Sequence, residues 1–313
     1  MPTFSQGSRS GLSYLEEVTF GTTPAGDFDS LPYTTHSLDF TKDRVQGNDI
    51  QPDRMPRHDR HGNKQAAGDI VTDLRADVYD SFLESLMFGT WDSTPAAAPD
   101  ELKVGTTPKY FSIEDYAADI DQARLFTGMA VSQCAFSIRP NQMVTATWGM
   151  VGKDMTISAT EKTVTAASLN APFDAYSGAL TIGDTGGALS AVATVTGIDF
   201  TINNSLNPTF VVGSASTPQL EYGMASIEGT ITAYFEDLSL MNRFINETET
   251  ALKVAVDDPT GANEYSFLFP RAKFNGASVP VANPQSRIIT IPFVALYDST
   301  EASNIVIYRP DTT

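Results

Sequence analysis

The chain has 313 residues, of which 41% are hydrophobic and 19% are charged. This composition is typical of a globular protein with a buried core and excludes a disordered chain. The 38 acidic residues against 20 basic ones give a formal net charge of −18. That charge argues against binding of nucleic acid through its phosphates, which depends on Lys and Arg, although it is equally compatible with plain solubility.

Cys134 is the only cysteine, so no intrachain disulfide can form and folding need not take place in an oxidising compartment. It alternates with Phe136 and is predicted to be a packed core thiol. The N-terminus has no basic and then apolar layout, and the longest apolar run, Ile288 to Tyr297, is half a membrane span. We therefore expect a soluble protein made in the cytoplasm, with no membrane partner.

The first 64 residues are predicted to form two irregular segments, one on each side of a single strand. Residues 1–30 are polar and rich in Gly, Ser and Thr, and they are predicted to form an arm outside the core. A strand is predicted around Leu38 and Phe40. The stretch from Lys42 to Lys64 contains two prolines and is predicted to be a long irregular loop, a kind of segment that is usually functional.

Strand patterns dominate the rest of the chain. Ile227, Ile231 and Phe235 alternate with polar residues, and so do Val144 and Trp148. A period of two is typical of a sheet with one face on a core. The fold class that follows is mainly β, with mostly antiparallel sheet in each half of the chain.

Each half has one convincing helix. The first is predicted from Asp77 to Phe88, with Asp77 as its N-cap and Gly89 closing its C-terminal end, and the second from Asp237 to Ile245. Both are expected to pack on the sheet through apolar residues at helical spacing. These are Val78, Phe82, Leu83 and Leu86 in the first helix and Leu238, Met241, Phe244 and Ile245 in the second.

The chain also contains an internal repeat. Residues 37–41 are echoed by residues 197–201 at an offset of 160 (199 − 39), and residues 67–70 by residues 228–231 at an offset of 161 (229 − 68). A period of this length suits a duplicated domain of ordinary size. The predicted divisions are an N-terminal arm at 1–30, a first repeat at 31–153, a connector or insertion at 154–191 and a second repeat at 192–313. Within the repeats, Val144, Ala146 and Trp148 are echoed by Ile289, Ile291 and Phe293.

No catalytic, metal-binding or cofactor-binding site is predicted. The only conceivable metal cluster is the run from His58 to His61, where Arg54, Arg57 and Arg60 would oppose a bound cation. The sequence has no nucleophile elbow, phosphate-binding glycine loop or zinc-ligand pair. We therefore expect a protein that is not an enzyme and that needs no cofactor.

Several motifs, in their order along the chain, resemble the tail tube proteins, or major tail proteins, of long-tailed, non-contractile phages (siphoviruses). The resemblance covers most of the chain except the connector. The motifs are Tyr14-Leu15-Glu16-Glu17-x-x-Phe20-Gly21-Thr22-x-Pro24, His61-Gly62-Asn63-Lys64 leading to Gly68-Asp69-Ile70, Phe88-Gly89-Thr90-Trp91, Phe126-Thr127-Gly128, Gly149 to Met155, and Thr232 to Leu238.

The resemblance implies a structural virion protein. Its expected fold is a β-sandwich or half-barrel with one helix per repeat, in which two tandem tube domains assemble with other copies into a large β-barrel ring. Stacked rings would form the hollow virion tail that conducts DNA during ejection. The implied partners are other copies of the chain, a tape measure protein inside the tube, tail terminator and distal tail proteins at its ends, and double-stranded DNA that passes without specific binding.

Strand geometry supports a ring built from several copies. One chain offers about eight long strands, and a barrel of that size has room only for its own side chains. Six domain copies give about 24 strands, and at roughly 4.8 Å per strand and a tilt near 40° they leave a channel on the order of 35 to 40 Å. A duplex roughly 20 Å across passes through it. Because family members with one tube domain form hexamers, the duplicated chain is expected to form a homotrimer ring with pseudo-sixfold symmetry.

Two sets of residues are predicted to serve assembly. Cations crowd the long loop of an acidic protein and suggest an inter-ring or inter-subunit contact with an acidic face, the alternative being a solvated loop. Polar residues on strand faces suggest a lumen that repels DNA, the alternative being an outer surface. The contact residues are Lys42, Arg44, Arg54, Arg57, Arg60 and Lys64. The lumen-lining candidates are Asp69, Asp73, Glu228, Thr230 and Thr232.

A rival function is a β-rich virion adhesin, or receptor- or glycan-binding protein, since Thr- and Ser-laden strands also suit a glycan-binding surface. Such a protein would be expected to line a groove with exposed aromatic residues, whereas Tyr and Phe here fall mostly at core positions. A cell-wall enzyme is a third option, but the sequence has no defensible pair of catalytic carboxylates.

Overall fold

The computed structural model describes residues 4–94, 99–168, 170–192, 194–261, 263–281 and 286–310. It is mainly β, which confirms that part of the predicted fold class. The helices are α1 (Asp80–Met87) and α2 (Ser239–Ile245), and a 3-10 turn (Gly7–Arg9) precedes the first strand. The strands are β1 (Ser10–Glu17), β2 (Phe28–Ser30), β3 (Thr35–His36), β4 (Asp39–Gln46), β5 (Asp59–Asp73), β6 (Asp100–Lys103), β7 (Tyr110–Ala117), β8 (Gln122–Ile138), β9 (Thr145–Gly152), β10 (Asp154–Ser158), β11 (Val164–Thr165), β12 (Asp174–Asp184), β13 (Ser190–Ala191), β14 (Val195–Asn203), β15 (Asn207–Pro208), β16 (Leu220–Glu221), β17 (Ser226–Tyr234), β18 (Thr250–Asp257), β19 (Glu264–Phe274), β20 (Ile288–Ala295) and β21 (Val306–Arg309).

One continuous antiparallel layer, which we call the wall, runs through both halves of the chain. Its strands follow the order β4, β5, β9, β8, β14, β17, β20 and β19. The wall does not close on itself in a single chain. It has a hairpin end, where β4 turns into β5, and a far end, where β5 and β8 finish and β9 and β14 begin.

A second layer packs behind the wall. In the first half it contains β1, β7 and the beginning of β8, and in the second half β12, β18, β21 and the beginning of β19. The aromatic core joins the layers at Phe136, whose ring centroid lies 4.9 Å from that of Phe200, 5.1 Å from that of Phe267 and 6.0 Å from that of Trp148. Because Phe136 and Phe200 belong to different halves, the two halves share one core.

The first predicted helix has the expected apolar face but different ends. Val78 and the other three stripe residues are buried. The helix begins at Asp80, while Asp77 has a left-handed φ of 67° and its N–H donates to the Tyr265 hydroxyl at 3.2 Å. Phe88, not Gly89, takes the left-handed conformation at the C-terminal end. Gly89 is needed for another reason, since a Cβ there would lie 2.5 Å from the Lys103 carbonyl oxygen.

The second predicted helix exists but is not a core helix. It begins at Ser239, whose N–H donates to Asp237 Oδ1 at 2.8 Å. Phe244 packs against the core, but Leu238 and Ile245 are 55% and 63% exposed. The prediction that this helix packs on the sheet through its whole apolar stripe is therefore wrong.

Two predictions about irregular segments are also wrong. Residues 1–30 are not simply an arm, because β1 pairs with β7 along its length and buries Leu12 and Tyr14. Residues 42–64 are not an irregular loop throughout, because 11 of these 23 residues belong to the paired strands β4 and β5, and the other 12, residues 47–58, form the turn between them. The division that makes 154–191 a connector or insertion stays a prediction; its residues contribute strands to the sheets, with β10 paired to β8 and β12 paired to β18.

Candidate assembly surfaces

All five predicted lumen residues lie on one face of the wall, which we call the polar face. Asp69 and Asp73 alternate on β5 with the buried Ile70 and Thr72. The three candidates on β17 alternate with buried residues in the same way. They are Glu228, Thr230 and Thr232.

Strand pairing extends the polar face across six strands from β5 to β20. Directly paired residues of an antiparallel sheet lie on the same face. One row across the face contains Asp73, Thr145, Ser137, Asp199, Thr230 and Pro292. The next row contains Val71, Thr147, Ala135, Thr201, Glu228 and Val294.

The polar face is concave over the junction of the two halves, where it encloses a depression of about 630 Å³. Asp199 accepts a hydrogen bond from the Ser137 hydroxyl at 2.6 Å and pairs with Arg139. Asp69, Asp73 and Glu228 form no ion pair within the described part of the chain. The face therefore presents three uncompensated carboxylates among hydroxyls.

The predicted contact cations lie on the hairpin, but half of them are already neutralised. Arg44 pairs with Asp59 at 2.7 Å, and Lys64 pairs with Asp154. Arg57 likewise pairs with Asp53, at 2.5 Å. Among the described residues, Lys42, Arg54 and Arg60 have no ion-pair partner. The two exposed pairs, those of Arg44 and Arg57, contribute about 0 to 1 kcal/mol each. Because three of the six charges are paired, the hairpin is a weaker cationic surface than its count of basic residues suggests.

The hairpin projects from the wall and ends in apolar side chains. The pairing of β5 with β9 stops at Ala66. Residues 59–65 of β5 therefore extend the hairpin roughly 20 Å past the wall. In the turn, Ile50 is 98% exposed and Met55 is 64% exposed. We call residues 47–58 the tip.

The corresponding loop between β14 and β17 stays close to the protein. Residues 204–225 contain the short pair of β15 and β16, and Leu220 is buried beside Phe88. The carbonyl of Ala215 accepts the Lys64 N–H at 2.9 Å, which ties this loop to the base of the hairpin. The turn of this loop is nevertheless exposed, and Val212 at its end is fully accessible to solvent.

Both borders of the wall have an open edge. β4 pairs with β5 alone in the described chain, and the Phe40 N–H donates to the neighbouring Asp39 carboxylate at 2.7 Å instead of to a strand. At the other border the pairing of β18 with β19 stops at Ala272. Residues 275–281 then run along β20, where the Ser278 N–H donates to the Thr290 carbonyl at 3.0 Å.

A family model described as phage tail tube protein matches residues 7–295 of the chain. The chain belongs to the phage tail tube protein family. This confirms the resemblance seen in the sequence and assigns the chain a structural role in a virion tail, where tail tube proteins self-assemble into a tube. A search of curated proteins found no significant match.

Other kinds of site find no support in the described residues of this tail tube protein. Three or more His, Cys, Asp or Glu side chains nowhere meet in a way that could hold a metal ion. Neither helix has the length and apolarity to cross a membrane.

Sequence reasoning missed half of the polar face and the apolar tip. The missed residues lie at the polar positions of strands in which polar and apolar residues alternate: Asp199, Thr145 and Thr201. With the strand order known, this alternation places them on the polar face. The signal for the tip was an Ile and a Met inside a polar, Pro-containing turn.

Proposed function

We propose that this tail tube protein is a tandem duplication of the tube domain, from a long-tailed, non-contractile phage, and that three copies form a ring with pseudo-sixfold symmetry. The rings stack into the tube that conducts DNA. The proposed repeats are residues 31–153 and 192–313, with 154–191 as the insertion between them. The observation that carries the proposal is the junction at which β8 pairs with β14 inside one chain.

The strand pairings of the two halves support the duplication. β5 lies between β4 and β9, just as β17 lies between β14 and β20. Gly68 and Gly229 hold the same place, since a Cβ on Gly68 would lie 2.4 Å from the Ser37 carbonyl oxygen and one on Gly229 would lie 2.5 Å from the Phe293 ring. Gly68 also has a φ of 152°, which favours glycine.

The same glycines align the repeats residue by residue. Met150 is paired with Gly68, and Phe293 is paired with Gly229, which makes Met150 and Phe293 equivalent at an offset of 143 (293 − 150). The echo read from sequence, Trp148 with Phe293, is two residues away from this register. On the other side, Gly68 lies against Leu38 and Gly229 is paired with Phe200, an offset of 162 (200 − 38).

Ring closure follows if each junction between chains repeats the junction within a chain. Six residue pairs join β8 to β14, from Gln133 with Asn203 to Ile138 with Ile198. In the proposed alignment β14 corresponds to β4 with the residues just before it, and the end of β8 corresponds to residues 276–281. These two segments are the open edges of the wall. A second copy therefore fits head to tail, and three copies of eight wall strands give the 24 strands expected from the sequence.

The polar face fits the inside of such a ring, because it is concave and its opposite face is buried under the second layer. Its free carboxylates would present a negative potential and bound water to DNA phosphates, so that DNA passes without adhering. Family membership favours this function over that of an adhesin or a receptor- or glycan-binding protein. The tape measure protein and the proteins at the tail ends remain partners implied by the resemblance.

Electron microscopy of the purified chain at high concentration tests the function. We expect rings or hollow tubes, and a reconstruction should place Asp69, Asp73 and Glu228 on the channel wall. Monodisperse globules at all concentrations would contradict the tube, and tubes with these side chains on the outside would contradict the assignment of the lumen alone.

Changing Asp69, Asp73 and Glu228 to Lys should make the channel retain DNA. The expected result is slowed or incomplete ejection from virions at low salt that recovers as salt rises, because counterions compete with the new phosphate contacts. Ejection can be followed by release of DNA into a fluorescent dye. Changing the same residues to Asn and Gln is the control, and normal ejection by correctly assembled Lys variants would show that this face does not line the channel.

A further inference from the structure

We propose that the tip of the hairpin docks Ile50 and Met55 into an apolar groove at the far end of a second copy in the neighbouring ring. The inference rests on the proposed function, since it requires stacked rings. It names the site that receives the tip.

The groove lies where the two layers separate at the far end of the wall. It has a volume of about 290 Å³ and no charged residue among its lining side chains. This volume is close to the lower bound of sites for drug-sized ligands, which occupy roughly 300 to 1,000 Å³. Because its lining offers no charged group to orient a polar metabolite, the groove suits inserted aliphatic side chains. The lining includes Ile138, Pro140, Leu180, Val192, Val195 and Val254.

Carboxylates adjoin the groove on its second-layer side. Ala175 lines the groove and follows Asp174 in the sequence. Asp174 is paired with Asp257, and Asp257 is paired with Glu264 on the next strand. Burial and the neighbouring carboxylates Glu264 and Asp174 raise the pKa of Asp257. An arriving cation would relieve this crowding of like charges.

The tip carries the complementary groups. Ile50 and Met55 are exposed to solvent in the free chain, and Arg54 and Arg57 flank Met55. Within the tip two aspartates balance these arginines. The whole hairpin from residue 42 to residue 64, however, has six basic and four acidic residues, a net charge of +2. The contact with an acidic face stays a prediction, to which this proposal adds an apolar centre. Apolar insertion would supply most of the affinity, and the net positive charge of the hairpin would orient it toward the acidic rim.

The positions of tip and groove fit stacked copies. The tip projects roughly 20 Å past the wall at its hairpin end. The groove lies at the opposite, far end of the wall, bordered by Ile138, where β8 ends, and by Val195, where β14 begins. A copy displaced along the strands thus brings its groove toward the tip of the next copy. Each chain carries this tip and this groove, so every tip of a ring can find a partner in the next ring.

Engineered cysteines test the contact directly. Ile50→Cys with Ala191→Cys places one thiol on the tip and one at the exposed rim of the groove. The native Cys134 will not interfere, because it is fully buried and burial raises its pKa. Mild oxidation of assembled tubes should give a ladder of covalently linked chains on a non-reducing gel, and each single variant should give none.

A matched control uses Ile50→Cys with Glu236→Cys, an exposed position near the far end but outside the groove, which should give no ladder.

Separately, Ile50→Ser with Met55→Ser should raise the critical concentration for tube formation by about 10- to 100-fold, as expected for losing buried aliphatic side chains. Replacing Arg54, Arg57 and Arg60 by Glu should raise it less, and mainly at low salt.

Two results separate failure of this inference from failure of the proposed function. If the unaltered chain forms no tubes, the proposed function fails. If tubes form but the Ile50 and Ala191 cysteines do not cross-link, or the ladder appears with Glu236→Cys instead, the tip does not occupy this groove.

Discussion

Lys42→Pro is expected to prevent ring formation while leaving the subunit folded. Lys42 is exposed on the edge strand β4, and its partner Lys64 sends its own N–H away from β4 to Ala215, as the residues of a non-hydrogen-bonded pair do. The Lys42 N–H therefore points to the open edge. In the junction within the chain the equivalent residue is Asn204, whose N–H donates to the Ser132 carbonyl at 2.9 Å.

Proline is tolerated on an edge strand but not in a central one, and ring closure converts β4 from the first into the second. Loss of a ladder bond and the unsatisfied partner cost about 1 to 3 kcal/mol at each junction, hence about 3 to 9 kcal/mol for a ring of three. Sedimentation and microscopy should show monomers at concentrations where the unaltered chain forms tubes.

Lys42→Ala is the matched control, since it removes the same side chain and keeps the N–H. It should assemble normally. If Lys42→Pro forms tubes as readily as Lys42→Ala, the open edge of β4 does not close the ring.

Arg309→Met should cost about 3 to 5 kcal/mol of unfolding free energy, the loss typical of breaking a buried ion pair by removing one partner. The guanidinium pairs with Asp80 and with Asp100 at 2.8 Å, and it stacks 4.4 Å from the Trp91 ring centroid. Asp100 is fully buried. The variant would leave both carboxylates in the core without this cation.

The loss should depend on pH in a definite direction. Burial raises the pKa of Asp80 from 3.8, while the hydrogen bond from Tyr265 and the charge of Arg309 oppose that rise. Without the arginine the pKa of Asp80 rises further. At pH values between the pKa of Asp80 in the unfolded state and its raised pKa in the folded state, the folded state then binds more protons than the unfolded state. Stability then falls as pH rises through the raised pKa, and the variant should be less destabilised at pH 5 than at pH 8.

Urea unfolding at both pH values measures this effect. Arg44→Met is the control, because it breaks the exposed pair with Asp59 and should change stability by less than about 1 kcal/mol. An equal loss for Arg309→Met at pH 5 and pH 8 would show that the buried carboxylates do not govern the effect.

The faces of the strands could be predicted from the sequence, and their register could not. Alternation places Asp69 and Thr230 on the polar side whatever the partner strands are. The repeat seen in the sequence matches Trp148 to Phe293, whereas the strand registers match Met150 to Phe293. A slip of two residues keeps every side chain on its face, so a period-two pattern cannot detect it.

Segments held by distant contacts were the ones that sequence reasoning misread. Asp77 looked like a helix cap, but the Tyr265 hydroxyl, 188 residues away, binds its N–H. Residues 59–65 form a strand with neither face on the core, so they lack the alternation that reveals a strand. The arginines of the tip stand out in an acidic sequence, whereas its apolar side chains have no partner within one chain that would reveal their role.

Covalent trapping of the ring tests the central claim most directly. In the proposed alignment Asp39 corresponds to Thr201 and Ser278 to Ala135, and Thr201 and Ala135 are directly paired within the chain. Paired Cα atoms lie about 4.5 to 5.5 Å apart, which a disulfide can span. Chains with Asp39→Cys and Ser278→Cys should therefore join at each junction, whereas Asp43→Cys with Ser278→Cys, displaced by four residues, should not. After oxidation and denaturation we predict one closed species with the mass of three chains; a species of six chains, or open chains of every length, would contradict the trimeric ring.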